Sequence, residues 1–292
     1  MTEATMAVTD RLKTDGGNYA MLALDQRESL RDMFARDANG LRVNDEALRE
    51  FKQSAVEVLT PFASAVLLDR PYSVTDERPT GIADDCALIV AADVLHQEPG
   101  AAVTGSSFDE LVTVDFLRKV GADAIKFLVI WREGHEVEAR GVLIERAVEL
   151  ARAAGVASLV EAIVRPAEGA TWASAEEHHE AILAAAAEVS AFQPDVYKAE
   201  VPGYTVGDVS KVTEHARRMS QIVDGDWVVL SNGVDKDEFA SAVAAAREGG
   251  ASGFLAGRAI WADTIVEADH VTAMAERSVQ RLKTLTAIVD AK

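Results

Sequence analysis

Two apolar runs in the middle of the chain decide the fold, AIKFLVIW at residues 124–131 and SLVEAIVR at residues 158–165. Each run has the length of a β-strand and carries one charged residue near its centre, Lys126 in the first and Glu161 in the second. A longer amphipathic stretch separates them, which is the pattern of a strand–helix–strand unit with two parallel strands. The sequence therefore predicts a parallel sheet covered by helices.

Six further runs of this kind lie along the chain. Eight strands separated by helices close into a (β/α)8 barrel, the TIM-barrel architecture, which takes roughly 250 residues before insertions. Because the composition shows no break, we expect one TIM-barrel domain over residues 1–292. The alternative is an open doubly wound sheet, but no GxGxxG or Walker-type loop follows the first run. The six runs are YAMLALD from 19, ASAVLLDR from 63, CALIVAAD from 86, VYKAEV from 196, WVVLSNG from 227 and GFLAGRA from 253.

Three stretches between the runs carry helix signals. Asn44 is a predicted N-cap, and Ser174 with Glu177 three residues later forms a capping box. The stretch at 234–251 places acidic residues in a predicted first turn and ends at Gly249–Gly250. These signals indicate helices in the positions that a barrel requires.

The composition indicates which partners the protein cannot bind and in which compartment we expect it. Hydrophobic residues make up 49% of the chain, and the formal net charge is −19. An acidic protein lacks the basic face that nucleic acids and anionic membranes require, and no apolar run is long enough to cross a bilayer. The start, MTEATMAVTD, is polar, and the single Cys86 cannot form an internal disulfide. We expect a cytoplasmic protein.

Charged residues within the apolar runs are the candidate catalytic groups. Lys126, Glu161 and Lys198 lie inside strands, Asp25 ends the first strand, and Glu200 shares a face with Lys198 by the two-residue period. An ionised group in a barrel interior costs several kcal/mol unless it is paired. Such residues can be ion pairs that fix the strand register, or they can face outward. Four on separate strands, at the rim where barrels carry their chemistry, favour a functional cluster.

Two lysines in one pocket have a specific chemical use. A second ammonium group and partial desolvation lower the pKa of an amine, so the amine can act as a neutral nucleophile near pH 7. It then condenses with a ketone, and the iminium accepts electrons as the adjacent C–C bond breaks. Carboxylates supply the proton transfers. We expect Lys126 to keep Lys198 deprotonated, with no cofactor.

Metal-assisted enolate chemistry would instead need histidine and carboxylate ligands at the strand ends. His178 and His179 fall in a predicted helix beside Glu176, Glu177 and Glu180, and we interpret them as solvated surface. We therefore expect no metal. None of the histidines lies within a strand run; they stand at positions 96, 135, 178, 179, 215 and 270.

The last two strands end in candidate anion sites. Ser231, Asn232 and Gly233 follow one strand, and Gly257 and Arg258 follow the other. Small residues let backbone amides approach an anion, and arginine adds a charged fork. In barrels the loops after the seventh and eighth strands form the usual phosphate site, although either glycine alone is also typical of a tight turn.

A second candidate binding segment follows the first strand. Gln26, Arg27 and Ser29 can hold the other polar or anionic end of a substrate, or they can be surface residues at a helix start. Arg70 and Arg165 also follow strands and are further candidates.

Six strings together resemble the class I aldolase family that includes tagatose-1,6-bisphosphate aldolase. Within it, AGRAIWA and the compact length are most similar to the 6-deoxy-6-sulfofructose-1-phosphate aldolases of sulfoglycolysis. The resemblance spans nearly the whole chain, and the strings stand in family order. They are LALDQRESLRDMF, PFASAVLLD, AIKFLVIW, VYKAEVP, LSNGVD and GASGFLAGRAIWA.

The resemblance implies roles for the candidate residues. Lys198 would be the Schiff-base lysine and Arg258 the anchor of a substrate anion, the C1 phosphate. Lys126, Glu161 and Asp25 match the other polar active-site positions of the family. It also implies a TIM barrel, a sugar phosphate substrate and a homo-oligomer.

Two further positions follow from the same resemblance. Gln26 would lie near the far end of the open-chain sugar. Asn232 departs from the family pattern, which has two small residues before the glycine.

The resulting hypothesis is cleavage of 6-deoxy-6-sulfofructose 1-phosphate through a Schiff base on Lys198. Glu161 would shuttle the proton, and Glu161 or Asp25 would accept the proton of the C4 hydroxyl. Tagatose- or fructose-1,6-bisphosphate aldolase is the first alternative, with the same chemistry and a different far-end pocket. The second is a sugar-phosphate sensor without turnover, for which an intact set of lysines and carboxylates has no use.

Overall fold

The computed structural model describes residues 7–36 and 38–291. Eight parallel strands close into a barrel, in the spatial order β1-β10-β9-β8-β7-β6-β3-β2, and β4 and β5 form a separate antiparallel pair. The predicted barrel is confirmed. The strands are β1 (Tyr19–Leu24), β2 (Ala65–Asp69), β3 (Ala87–Ala91), β4 (Asp93–His96), β5 (Gly105–Phe108), β6 (Ala124–Trp131), β7 (Ala157–Val164), β8 (Val196–Ala199), β9 (Asp226–Val229) and β10 (Gly253–Ala256).

Helices follow the barrel strands and pack on the outside of the sheet. Shorter 3-10 turns lie at Asp10–Leu12, Thr60–Phe62 and Ala262–Thr264, and a π turn at Met274–Ser278 joins the last two helices. The α-helices are α1 (Glu28–Arg31), α2 (Asp45–Leu59), α3 (Val114–Lys119), α4 (Val137–Ala154), α5 (Ala175–Ser190), α6 (Val212–Ile222), α7 (Phe239–Glu248), α8 (Arg258–Trp261), α9 (His270–Ala273) and α10 (Val279–Asp290).

Two of the three helix starts predicted from the sequence are confirmed. Asn44 accepts a hydrogen bond from the Ala47 amide (3.1 Å), and Ser174 accepts one from the Glu177 amide (3.1 Å). The expectation of acidic residues in the first turn of the third helix is wrong, because α7 begins only at Phe239. The preceding acidic residues form a turn, in which Asp235 accepts a hydrogen bond from the Asp237 amide (2.8 Å).

The core has two layers because successive strand residues face opposite sides of the sheet. Side chains such as Met21 and Leu255 fill the barrel interior. Alternate residues such as Leu22 and Phe254 pack against the surrounding helices. The C-terminal helix α10 packs on β1, α2 and α7, so it covers the barrel of its own chain.

A β-hairpin that the sequence analysis did not predict lies beside the mouth of the barrel. Strands β4 and β5 pair antiparallel between β3 and β6, and their connection reaches the segment after α1. There the Gly100 amide donates to the Asp32 carboxylate (3.0 Å). The hairpin therefore forms a wall above the carboxyl ends of the strands.

Within residues 7–36 and 38–291, no helix is both long and apolar enough to cross a membrane. The sequence analysis used the polar start of the chain to predict a cytoplasmic protein. Residues 1–6 of that start lie outside the described residues.

A buried ion pair ties α2 to the barrel. Lys52 of α2 contacts Asp69 at the end of β2, and both side chains are almost fully inaccessible. Asp69 also accepts a hydrogen bond from the Tyr72 amide (3.0 Å). Removing one partner from a buried pair leaves the other charge uncompensated, which is far more costly than losing a surface pair.

We therefore predict that Lys52→Met lowers the free energy of unfolding by about 3–5 kcal/mol. The matched control is Lys119→Met, whose exposed partner Asp76 lies 3.3 Å away, and its effect should stay below about 1 kcal/mol. Urea unfolding followed by circular dichroism measures both values. Equal transition midpoints for the two variants would contradict the assignment.

Candidate active site

A cavity of about 370 Å³ opens at the carboxyl ends of the barrel strands. Its charged lining includes Asp25, Lys126, Glu161, Lys198 and Arg258, which the sequence analysis had singled out. An apolar wall stands beside these charged groups. It consists of Leu95 from the hairpin and the cavity residues Leu128, Ile130, Ile163 and Leu230.

Lys126 is the centre of the charged cluster. Its Nζ atom lies 2.7 Å from Asp25 Oδ2, 3.0 Å from Asp93 Oδ2 and 3.2 Å from Glu161 Oε2. Asp93 also accepts the Leu128 amide (3.1 Å). The ammonium group is thus surrounded by carboxylates from the end of β1, from the hairpin and from β7.

These contacts determine the charge state of the cluster. Burial alone would lower the pKa of Lys126, but the charges of Asp25, Asp93 and Glu161 raise it well above its ordinary value. Burial alone would raise the pKa of Asp25, but Lys126 and Lys198 hold it below its ordinary range. Lys126 and Asp25 are therefore both ionised at neutral pH.

The register of β7 and β8 places Lys198 beside Glu161, one of the carboxylates that contact Lys126. Glu161 of β7 pairs directly with Lys198 of β8, so the two side chains stand side by side on the inner face. Lys198 Nζ donates to Glu161 Oε2 at 2.8 Å. Because this oxygen also contacts Lys126 (3.2 Å), a single carboxylate oxygen joins the two lysines.

The residues predicted as anion sites follow β9 and β10, the strands between β8 and β1 in the barrel. Of these, Ser231, Asn232, Gly257 and Arg258 line the cavity. Arg258 donates through Nη2 to Asn232 Oδ1. Gly233 follows Ser231 and Asn232 in sequence but is absent from the part of the lining that the structure describes.

Gly257 is required by its close approach to β1. A Cβ atom at this position would lie 2.5 Å from the carbonyl oxygen of Ala23 and 2.9 Å from Gln26 Nε2. Real Cβ atoms do not approach a carbonyl oxygen so closely. The glycine therefore serves packing at the cavity, not only a tight turn.

The segment after β1 divides between the cavity and its surroundings. Gln26 and Ser29 line the cavity, which agrees with the binding interpretation. Arg27 does not contribute to the described lining, because its Nη2 atom turns to Asp93 Oδ1 (3.2 Å). The substrate contact predicted for Arg27 is thus replaced by an ion pair behind the Lys126 cluster. Arg165 lines the cavity, whereas Arg70 binds Asp109 at 2.5 Å.

The sequence analysis did not single out Asp93 and gave no role to Glu200, two carboxylates that are buried near the site. Asp93 is the last residue of the run CALIVAAD. Its position directly after a buried strand could have identified it as a candidate. Glu200 was noticed only for sharing a face with Lys198. In the structure it accepts the Val164 amide (2.9 Å) and Asn232 Nδ2 (3.1 Å), and burial raises its pKa to about 7.

The interpretation of the histidine pair as solvated surface is wrong for His179. Its side chain is buried between α5 and α6 with its ring 5.2 Å from that of His215, and burial lowers its pKa to about 4. The nearby potential ligands Glu176, Glu180 and His215 lie on the outside of the barrel. Glu180 is already paired with Arg218 (2.6 Å), so this group links two helices.

Comparison with known proteins identifies the family. The family model described as DeoC/LacD family aldolase matches residues 19–263, which include every described residue that lines the cavity. The chain belongs to the DeoC/LacD family of aldolases. It is a class I aldolase and hence a carbon–carbon lyase, and the family resemblance drawn from the sequence is confirmed.

Individual relatives agree with this assignment. The chain is 30% identical to a tagatose 1,6-diphosphate aldolase of Listeria innocua, over 87% of this chain and 80% of that protein. It is 28% identical to tagatose 1,6-diphosphate aldolase 2 of Enterococcus faecalis, over 94% and 88%. A fructose-bisphosphate aldolase structure from Plasmodium falciparum shares the fold, with a TM-score of 0.74, 14% identity and coverage of 97% and 92%.

The Gly257 contact in this aldolase gives a direct test of the site geometry. We predict that Gly257→Ala lowers the free energy of unfolding by about 1–3 kcal/mol, because the added methyl group overpacks against the Ala23 carbonyl. Gly105→Ala is the matched control, since a Cβ atom at residue 105 would come no closer than 3.4 Å to a neighbouring atom, His96 Nδ1. Thermal and urea unfolding report both changes. A control more destabilised than Gly257→Ala would refute this reading.

Proposed function

We propose that this aldolase cleaves 6-deoxy-6-sulfofructose 1-phosphate to dihydroxyacetone phosphate and 3-sulfolactaldehyde through a Schiff base on Lys198. The observation that carries the chemical part is the pair of ammonium groups on one oxygen of Glu161, at 2.8 Å and 3.2 Å, beside a cavity. A binding site alone has no need of this arrangement.

The first step forms the covalent bond. Glu161 takes a proton from Lys198, whose Nζ atom is 2.8 Å from it, and the neutral amine attacks C2 of the ketose. The protonated Glu161 then returns that proton to the carbinolamine hydroxyl, which leaves as water to give the iminium. Lys126 remains cationic throughout because three carboxylates hold its charge.

The second step breaks the C3–C4 bond. A carboxylate removes the C4 hydroxyl proton, the bond electrons move to the iminium, and the aldehyde leaves. The resulting enamine is protonated at C3 and hydrolysed, which releases dihydroxyacetone phosphate and restores Lys198. Glu161 and Asp25 both line the cavity and are the candidates for the base.

Arg258 and its neighbours are suited to the phosphate end. A guanidinium group provides paired donors for phosphate oxygens, and Ser231 and Gly257 stand beside it. Lys198 lines the same cavity, so a ketose held at C1 can present its carbonyl carbon to the amine.

The far-end group is proposed from the polarity of the remaining wall. Leu95, Leu128 and Ile163 contribute apolar surface, while Gln26 and Gln97 supply neutral polar groups. A sulfonate carries one charge near pH 7 and costs less to desolvate than a phosphate dianion. This wall therefore suits a monoanionic sulfonate.

A bisphosphate ketose is the second candidate. The named relatives at about 30% identity are tagatose 1,6-diphosphate aldolases, and Arg165 offers a second guanidinium in the cavity. Both candidates share the Lys198 chemistry; they differ in the group at C6 and, for tagatose, also in the configuration at C4. A sugar-phosphate sensor without turnover is tested by the release of triose.

Replacing Lys198 by Ala should lower the rate of ketose cleavage by at least about a thousandfold, because no amine remains to form the iminium. Lys211→Ala is the control, since Lys211 is exposed and pairs with Glu176 (3.4 Å) outside the cavity. Borohydride reduction of the wild-type enzyme with substrate should add the triose mass at residue 198 in peptide mass spectra. Labelling of another lysine, or full activity of Lys198→Ala, would exclude this nucleophile.

For the substrate, we predict that kcat/KM for 6-deoxy-6-sulfofructose 1-phosphate exceeds that for tagatose and fructose 1,6-bisphosphate by at least about tenfold, through the differing cost of desolvating the far-end anion. A coupled assay of dihydroxyacetone phosphate release serves for all three sugars. A higher value with either bisphosphate would transfer the assignment to that sugar and leave the Schiff-base chemistry in place.

A further inference from the structure

Glu200 is a buried carboxylate that the proposed reaction does not use. The residue is 6% exposed, and it does not line the described part of the cavity. Both carboxylate oxygens accept hydrogen bonds: Oε2 from the Val164 amide (2.9 Å) and Oε1 from Asn232 Nδ2 (3.1 Å). A buried charge with two specific partners, one of them in the anion site, indicates a defined role.

The side-chain amide of Asn232 connects Glu200 to Arg258. An amide has a donor end and an acceptor end, and Glu200 accepts from the donor end. The acceptor oxygen therefore faces away from Glu200, and Arg258 Nη2 donates to it. The three side chains form a chain of hydrogen bonds with a single direction.

We propose that Glu200 is a positioning residue that, through Asn232, holds the guanidinium group of Arg258 in place to bind the substrate anion. The inference rests on the proposed function in one respect, that Arg258 binds an anion of the substrate. Glu200 itself does not touch the substrate in this arrangement.

Only a carboxylate can satisfy both donors. A glutamine at this position must turn its NH2 group either to the Val164 amide or to Asn232, and in each case two donors face each other. If Asn232 rotates to relieve the second clash, its own NH2 group turns toward Arg258. The guanidinium group then loses its acceptor, so the neutral isostere breaks the chain of hydrogen bonds without removing volume.

The same reasoning gives a pH dependence. Burial raises the pKa of Glu200 to about 7, against the opposing effects of the Val164 amide, Arg165 and Asn232. The charged or titratable groups that act on it are Arg165, Glu161 and Tyr197. Below this pH Glu200 is protonated and acts on Asn232 as glutamine does. Anion binding at Arg258 should therefore weaken as the pH falls through about 7.

The test uses inorganic sulfate as the probe, because its charge is constant between pH 6 and pH 8 and its binding does not depend on which sugar is the substrate. Isothermal titration should give a Kd about tenfold weaker for Glu200→Gln than for the wild type at pH 8. The wild type should bind sulfate more weakly at pH 6 than at pH 8, and the variant should lose this difference. Glu110→Gln, an exposed carboxylate paired with Arg146 (2.7 Å), is the control.

Kinetics and a second variant separate positioning from other roles. KM for the cleaved ketose phosphate should rise about tenfold in Glu200→Gln, with kcat changed less than about twofold. Asn232→Leu breaks the same link from the other side and should give the same loss, and the double variant should be no weaker than either single one. If Glu200→Gln fails to fold, sulfate binding by Asn232→Leu alone tests the proposal.

Unchanged sulfate binding in Glu200→Gln, or in Asn232→Leu where the first variant does not fold, would overturn the proposal. So would a fall in kcat at constant KM, which would place Glu200 in the chemistry. Sulfate binding is measured without turnover. The role of Glu200 can therefore be decided even if the sulfosugar is not the substrate.

Discussion

The site depends on one constraint, the compensation of the buried Lys126 ammonium group. Removing such a charge from water costs several kcal/mol unless carboxylates and hydrogen bonds replace the lost hydration. Asp25, Asp93 and Glu161 supply this replacement at 2.7–3.2 Å, from the first strand, the hairpin and the fifth barrel strand. The barrel must therefore close in one register to bring the three together.

The arrangement also places an amine and a carboxylate where the proposed proton exchange can occur. Glu161 contacts Lys198 and Lys126 through the same oxygen, so both ammonium groups lie beside one carboxylate. Moving the proton from Lys198 to Glu161 leaves the net charge of the cluster unchanged. Asp93 also pairs through its other oxygen with Arg27 (3.2 Å), so this carboxylate joins Arg27 to the cluster.

The barrel and the charged cluster in its cavity were predictable because they follow from local patterns. Each barrel strand is a short apolar run, and a charge inside such a run, as at Lys198 or Glu161, is conspicuous against it. The hairpin β4–β5 gave no comparable signal, since β5 reads GSSF and β4 is largely solvated. The burial of His179 and the turn of Arg27 toward Asp93 depend on partners distant in sequence, which periodicity cannot reveal.

An acidic protein that binds an anion must concentrate its positive groups and control them separately. Of the four cationic residues in the described cavity lining, Lys126 and Lys198 are joined to Glu161. The two arginines donate to neutral acceptors, Arg165 to the Val164 carbonyl (2.9 Å) and Arg258 to Asn232. A neutral acceptor orients the guanidinium group without neutralising it, so its charge remains available to the substrate. The carboxylate of Glu200 stands one hydrogen bond further away, where it can orient Asn232 without competing for the anion. Under the proposed function, this separation would allow one cavity to combine a charge-compensated catalytic cluster with an anion site whose charge is not compensated.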